Sequence, residues 1–312
     1  MKVAVLGTWH VHAPDYAKVA EANAELIGVW EPNAEWRRAF AEKFGIREFN
    51  TLDELLASEA EAVIVCSSTD THAEYMIKAA EAKKHIFTEK VLCLTTEDCK
   101  RVEKAINDNG VKFVISCFMK YTSPMLTAKK AVDDGAVGKI NFVRVRNAHA
   151  GSVAGWLPKH FYNAKECGGG AMIDLGAHGM YLIEWLLGLP SGYSSTFTVC
   201  DSNPRNVDNV EDNAVTVMSY QSGAIAINET GFVSRNYGLT LEIGGDLGVI
   251  KVIDGKVYLK NEDTKPDTVE LPLLDPAPAP ILQFLTDKVE DGCGMRDALA
   301  LTAMMEGAYS AL

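Results

Sequence analysis

The sequence predicts an α/β protein, with an N-terminal Rossmann-type parallel sheet and a second α+β domain built on a large, mostly antiparallel sheet. Three observations carry this. The first third alternates short apolar runs with helical patterns across short connections, which implies parallel strands with helices on both faces. After about residue 122 the alternation stops and strands follow one another through short turns, which implies antiparallel pairing. The chain has 312 residues and is 47% hydrophobic, enough for two cores. The expected domains are residues 1–120 and 121–312, with the closing helix packing back on the first.

Residues 2–6 read as a buried strand ending at Gly7, not as a signal peptide, because the apolar run is too short. A helix follows to about Asn23, then a strand from Leu26 to Trp30 ending at Glu31. Trp36, Phe40 and Phe44 at four-residue spacing predict a helix stopped by Gly45. Strands are expected at 62–66, 85–88 and 111–117, and helices at 72–82 and 96–109. In the second half, helices are expected at 124–134 and 171–187, and a strand at 140–149. Further strands are expected at 195–201, 213–220, 223–231, 238–244, 247–253 and 255–260. The proline-rich run 272–280 reads as extended, and 281–291 and 295–311 as closing helices.

Composition narrows the partners. A net charge of −12 repels nucleic acid and anionic lipid. No stretch of about twenty apolar residues predicts a membrane span. Seven cysteines without a C-x-x-C pair predict reduced core thiols and a cytoplasmic protein.

Ligands of a parallel sheet sit at the carboxyl ends of its strands. Gly7, Thr8, Trp9 and His10 occupy the first strand-to-helix turn, with only the first glycine of the dinucleotide fingerprint present. Such a turn aims helix N–H groups at a pyrophosphate. His10-x-His12 also fits a metal-dependent hydrolase. Glu31, 24 residues after Gly7, suits the ribose hydroxyls of NAD and opposes the extra phosphate of NADP, unless Arg37 or Arg38 folds back. Ser67, Ser68, Thr69 and His72 follow the third expected strand, and Glu89 and Lys90 the fourth. The first group either caps a helix or lines the cofactor. Gly168, Gly169 and Gly170 precede Asp174 and His178, which at i, i+4 spacing share a helical face. The pair is either a tuned proton acceptor or a satisfied structural contact. Trp156, His160 and Tyr162 are candidate sugar contacts or loop packing.

These residues resemble the glucose–fructose oxidoreductase, inositol dehydrogenase and MocA family. The likeness rests on Gly7, the Glu89-Lys90 pair, the block from Gly168 through Asp174 to His178, and the Ile243 to Gly248 turn, and so spans nearly the whole chain. It implies an NAD(H)-dependent oxidoreductase that moves a hydride between the nicotinamide and a carbinol or carbonyl carbon of a sugar, cyclitol or polyol. By the resemblance, Lys90, Asp174 and His178 form the catalytic set; the doubly wound alternation and Glu31 separately argue against a metal site. The family also includes non-catalytic dinucleotide-binding regulators. This chain departs from the usual Glu-Lys-Pro at Val91, where a non-proline residue favours a trans peptide by roughly 2.5–4 kcal/mol. Apolar residues at alternate positions of the second sheet, such as Val215, Val217, Ile225 and Ile227, predict a homodimer or homotetramer.

Overall fold

Short apolar runs that end at glycine or a polar residue become the strands of a parallel sheet. The computed structural model describes residues 1–200, 204–235, 237–289 and 292–312. Two compact units divide it: Met1–Cys117 with Pro278–Thr302, and Phe118–Ala277 with Ala303–Leu312.

The first unit runs β1 (Lys2–Leu6), α1 (Ala13–Asn23), β2 (Glu25–Trp30), α2 (Ala34–Phe44), β3 (Arg47–Glu48) and α3 (Leu52–Leu56). It continues with β4 (Ala62–Val65), α4 (His72–Glu81), β5 (His85–Thr88), α5 (Thr96–Asn109) and β6 (Phe113–Ile115). The strands pair in the order β3-β2-β1-β4-β5-β6, every neighbour parallel. Residues 3–6 and 62–65 are fully buried, as expected of central strands covered on both faces. Helix boundaries follow local chemistry. The Asn33 side chain accepts from the N–H groups of Glu35 and Trp36, and Thr95 from that of Asp98. Gly45 and Gly110 end their helices in the left-handed conformation. The two-residue β3 and five-residue α3 lie below what periodicity detects.

In the second unit, α6 (Ser123–Asp133) and β7 (Ile140–Ala148) precede a single turn of helix, α7 (Ala164–Cys167), then a π-helical turn at Met172–Gly176 and α8 (Ala177–Leu187). The strands β8 (Gly192–Thr198), β9 (Asn213–Ser219), β10 (Ile225–Gly231), β11 (Thr240–Gly245), β12 (Gly248–Ile253), β13 (Lys256–Asn261) and β14 (Val269–Glu270) follow. Their order is β14-β13-β12-β11-β7-β10-β9-β8. All neighbours are antiparallel except β7 and β10. Alternate residues such as Val143, Val145, Met218, Ala226, Ile243 and Ile250 are buried, while Val217, Ile225 and Ile253 on the opposite face are exposed.

Three expectations need correction. The helix expected at 171–187 is not uniform, because side chains of the sheet capture its carbonyls. Asn228 donates to Gly176 O at 2.8 Å, Asn147 to Leu175 O at 3.2 Å and Thr230 to Ala171 O at 3.2 Å. The π-helical turn accommodates this competition. The helix expected at 281–291 is α9 (Pro280–Thr286), ended by Asp287 at φ +58°; positions 290–291 lie outside the described residues. The strand expected at 195–201 is β8, three residues earlier at its start, and position 201 also lies outside the described residues. The last helix is α10 (Met295–Ser310). All seven cysteines are unbridged, and six are buried. Among the described residues, no helix is long and apolar enough to cross a membrane.

Candidate active site

In the first unit the strand order reverses between β1 and β4, where a doubly wound sheet opens its ligand crevice. Gly7 makes the turn after β1 at φ +83°. A methyl group there would stand 2.6 Å from Ser67 Cα, so the two turns meet backbone to backbone. His10 N–H donates to Cys66 O at 3.0 Å and ties the same two turns.

Glu31 is buried at the end of β2. One carboxylate oxygen accepts the Thr8 N–H at 2.7 Å, and the other the Asn33 N–H at 3.0 Å. Arg37 is committed elsewhere, to the Glu31 backbone carbonyl at 2.9 Å and to Glu48 at 3.3 Å. Arg38 is exposed. Trp9 and Thr8 are half-buried.

After β4, Ser67 is buried, Ser68 donates to Asp70 at 2.6 Å, and Thr69–Thr71 form a short 3-10 turn. His72 is fully buried, and burial lowers its pKa against the pull of its carbonyl neighbours. Its Nε2 lies 3.1 Å from Ser67 O, and its Nδ1 3.1 Å from both Val91 O and Leu92 O. The ring therefore clamps two loops together and offers no open edge. The Lys90–Val91 peptide between β5 and these carbonyls is cis, against the preference of a valine.

Glu89 gathers the other groups. Its Oε1 meets His12 Nδ1 at 2.7 Å, accepts from the Tyr16 hydroxyl and lies 3.8 Å from His10 Nδ1. Its Oε2 accepts the Lys90 N–H at 2.9 Å. The Tyr16 hydroxyl also lies 2.8 Å from Ser116 Oγ. Burial alone would raise the Glu89 carboxyl. The facing His10, the His12 hydrogen bond and charge, and the Lys90 ammonium outweigh it and hold the group well below the usual carboxylate range. Burial and then Glu89 push the Tyr16 phenol and the Cys66 thiol upward. His10, His12 and Glu89 bring ligand atoms within 4.8 Å of one another, so geometry alone could admit a metal. Glu89 Oε1, the oxygen nearest both histidines, already takes the His12 and Tyr16 hydrogen bonds.

In the second unit Asp174 lies in the π turn and His178 at the start of α8. His178 Nδ1 lies 2.8 Å from the Tyr181 hydroxyl. Asp174 acts electrostatically on His149, whose pKa burial lowers and Asp174 partly restores. His149 stacks on Phe232 at 5.2 Å and meets Trp156 at 4.6 Å. Trp156 is 57% exposed and presents an open aromatic face. Tyr162 is buried, with its hydroxyl 2.7 Å from Ser152 Oγ, and so belongs to loop packing. His160 is half-buried beside Phe161.

The glycine block serves close packing. A methyl group on Gly170 would stand 2.0 Å from Glu211 O. The buried Glu211 carboxylate accepts from Gly170 N–H at 3.0 Å, Met172 N–H at 3.0 Å and the Tyr309 hydroxyl at 2.7 Å. Sequence reasoning missed Tyr16, His149 and Tyr181. Only Tyr181 had a usable signal, its i+3 spacing from His178.

Replacing Glu89 tests the network. Glu89→Gln is expected to cost about 2–3 kcal/mol at neutral pH, as for lost hydrogen bonds to a buried charge. The folded Glu89 pKa lies below its unfolded value, so its stabilisation is present above the unfolded value and lost as pH falls through the folded one. Urea unfolding should show the gap between wild type and variant narrowing in acid. A gap that stays constant down to the lowest pH at which both fold would contradict the assignment.

Comparison with known proteins agrees with this architecture. Residues 1–117 match the model of an oxidoreductase family with an NAD-binding Rossmann fold, and residues 125–251 the GFO/IDH/MocA C-terminal domain. An uncharacterized oxidoreductase of Streptococcus pneumoniae is 28% identical over 265 residues, covering 81% of this chain and 68% of that protein. Inositol 2-dehydrogenase of Rhizobium meliloti is 26% identical over 243 residues, covering 77% and 71%. The structure of levoglucosan dehydrogenase with NADH and levoglucosan has the same fold, with a TM-score of 0.82 at 20% identity over 100% of this chain and 96% of that one. Two domain models in their expected order, on a reversing parallel sheet and an eight-stranded partner sheet, mean that the chain belongs to the glucose–fructose oxidoreductase, inositol dehydrogenase and MocA family of NAD(P)-dependent oxidoreductases.

Proposed function

We propose that the protein is an NAD(H)-dependent dehydrogenase or reductase acting on a carbinol or carbonyl carbon of a sugar, cyclitol or related polyol. The carrying observation is the buried Lys90 at the carboxyl edge of the parallel sheet, next to the Glu89 that bonds the His12 of the cofactor turn. The names of relatives acting on inositol and levoglucosan support the substrate class. When bound, the nicotinamide supplies the hydride acceptor, or the donor in reverse. Gly7, Thr8, Trp9 and His10 approach the pyrophosphate, and Ser67, Ser68 and Thr69 border the same crevice. His178 takes the hydroxyl proton at Nε2 as the C–H bond gives up its electron pair. Lys90 stabilises the developing alkoxide. Asp174 orients the substrate with Trp156, whose open ring suits stacking on a sugar face.

A panel of polyols and sugars including myo-inositol and levoglucosan, assayed by nicotinamide absorbance, tests the activity. Once a substrate is found, His178→Ala should lower kcat by about 10²–10⁴-fold, and Lys90→Ala should also lower it steeply. Neither should change NAD(H) affinity by more than a few-fold. Near-normal turnover of His178→Ala would sink the proton-transfer role. Tight NADH binding without turnover across the panel would favour a regulator.

Glu31 supports NAD(H) over NADP(H). A 2′-phosphate would approach a buried carboxylate, and Arg37 is held by Glu48 and the Glu31 carbonyl. Binding titrations should show NADH tighter than NADPH by about tenfold or more, and Glu31→Ala should narrow that ratio. Tighter NADPH binding by the wild type would refute this.

The outer face of the second sheet supports self-association. It exposes Val217, Ile225 and Ile253 beside the Arg144–Glu229 ion pair, which suits burial against a second copy. Light scattering at micromolar concentration should report a dimer or tetramer, and Ile225→Arg should shift it toward monomer. A monomeric wild type would count against it.

A further inference from the structure

Three residues beyond His178, the same face of α8 carries Tyr181. Both are buried, at 4% and 1% exposure. The Tyr181 hydroxyl lies 2.8 Å from His178 Nδ1 and accepts the Met119 N–H at 3.2 Å. The two rings meet edge-on at 5.5 Å, and Phe118 packs edge-on against His178 at 5.3 Å. The charged groups around the pair are Lys120, 5.9 Å from the centre of the Tyr181 ring, Glu184, 3.8 Å from the Lys120 ammonium, and Asp174 in the preceding turn.

We propose that Tyr181 is the positioning residue for His178, holding Nδ1 so that Nε2 is the atom that exchanges a proton with the substrate. The proposal rests on the reading of His178 as the proton-transfer group. A carboxylate in this place could only accept and would favour the imidazolium. A phenol oxygen accepts from Nδ1–H without carrying a charge of its own. When the substrate O–H bond breaks and an N–H bond forms at Nε2, the imidazolium Nδ1–H donates to the phenol oxygen. When that proton returns to an alkoxide, His178 is neutral with its remaining proton on Nδ1, and Nδ1–H still donates to the phenol oxygen. The contact survives both protonation states, so the ring keeps its aim in oxidation and in reduction. Backbone anchoring through Met119 fixes the phenol, and the paired aromatic edges fix the plane of the imidazole.

The test is Tyr181→Phe in the full chain, followed by ¹⁵N NMR of the histidine rings across a pH series. The His178 signals are identified by their loss in His178→Ala. The bond from the imidazolium is charge-assisted and the stronger of the two, so its removal should lower the His178 titration midpoint by about half a unit to one unit. The acid limb of kcat, on whichever of myo-inositol or levoglucosan is turned over, should move with it while KM stays within about twofold. In the His178→Ala background, Tyr181→Phe should have no further effect on kcat. An unmoved midpoint, with His178→Ala inactive, overturns the positioning role and leaves the proton-transfer reading intact. Near-normal turnover of His178→Ala overturns that reading instead. If Tyr181→Phe does not fold, 3,5-difluorotyrosine at position 181 keeps the shape and weakens the acceptor. It must lower the same midpoint, and an unchanged midpoint again overturns the proposal.

Discussion

The first unit depends on one buried anion. Glu89 ends β5 with its carboxylate turned toward the start of α1, where it meets His12 and Tyr16. An uncompensated charge there would be costly, so its neighbours are constrained in turn. The ring nitrogens of His10 and His12 must face it, the Tyr16 hydroxyl must donate to it, and the Lys90 N–H must lie on its second oxygen. Those constraints set the turn that follows Gly7 and the placement of Lys90 together. The second and third glycines of the usual dinucleotide fingerprint are replaced by Trp9 and His12, and His12 is a member of this network.

The second unit shows the same economy with neutral groups. Asn147, Asn228 and Thr230 project from the sheet and take carbonyls of the helix entering α8. Gly179 allows the contact, since a methyl group there would stand 1.9 Å from Asn228 Oδ1. Polar side chains in a sheet core are expensive unless bonded; here they choose the local helical geometry. The consequence reaches the candidate residues, because His178 lies against Tyr181 and Asp174 acts electrostatically on His149.

Taken unit by unit, the ionisable groups singled out have partners of different character. Glu89 is surrounded by donors and is held as an anion. His178 is paired with a phenol, which carries no charge and takes either hydrogen-bonding role. A buried anion needs several donors to hold it, whereas an uncharged phenol biases its imidazole partner less than a carboxylate would.

The sequence by itself determined the fold class, most strand positions and the helix stops, because these depend on apolar periodicity and on local caps such as Asn33, Gly45 and Gly110. It also singled out Gly7, Glu31, Glu89, Lys90, Asp174 and His178, which stand at strand ends or beside a glycine run. It could not show which residues pair. Tyr16 with Glu89 spans 73 positions and Asn228 with Gly176 spans 52, so neither contact leaves a trace in local spacing. The i, i+4 rule for Asp174 and His178 assumed a regular helix, and only the tertiary structure, through the sheet's side chains, decided that the turn would be π-helical. Burial likewise separated Trp156 from Tyr162, two aromatics alike in sequence, because exposure is set by what packs against a residue and not by its neighbours in the chain.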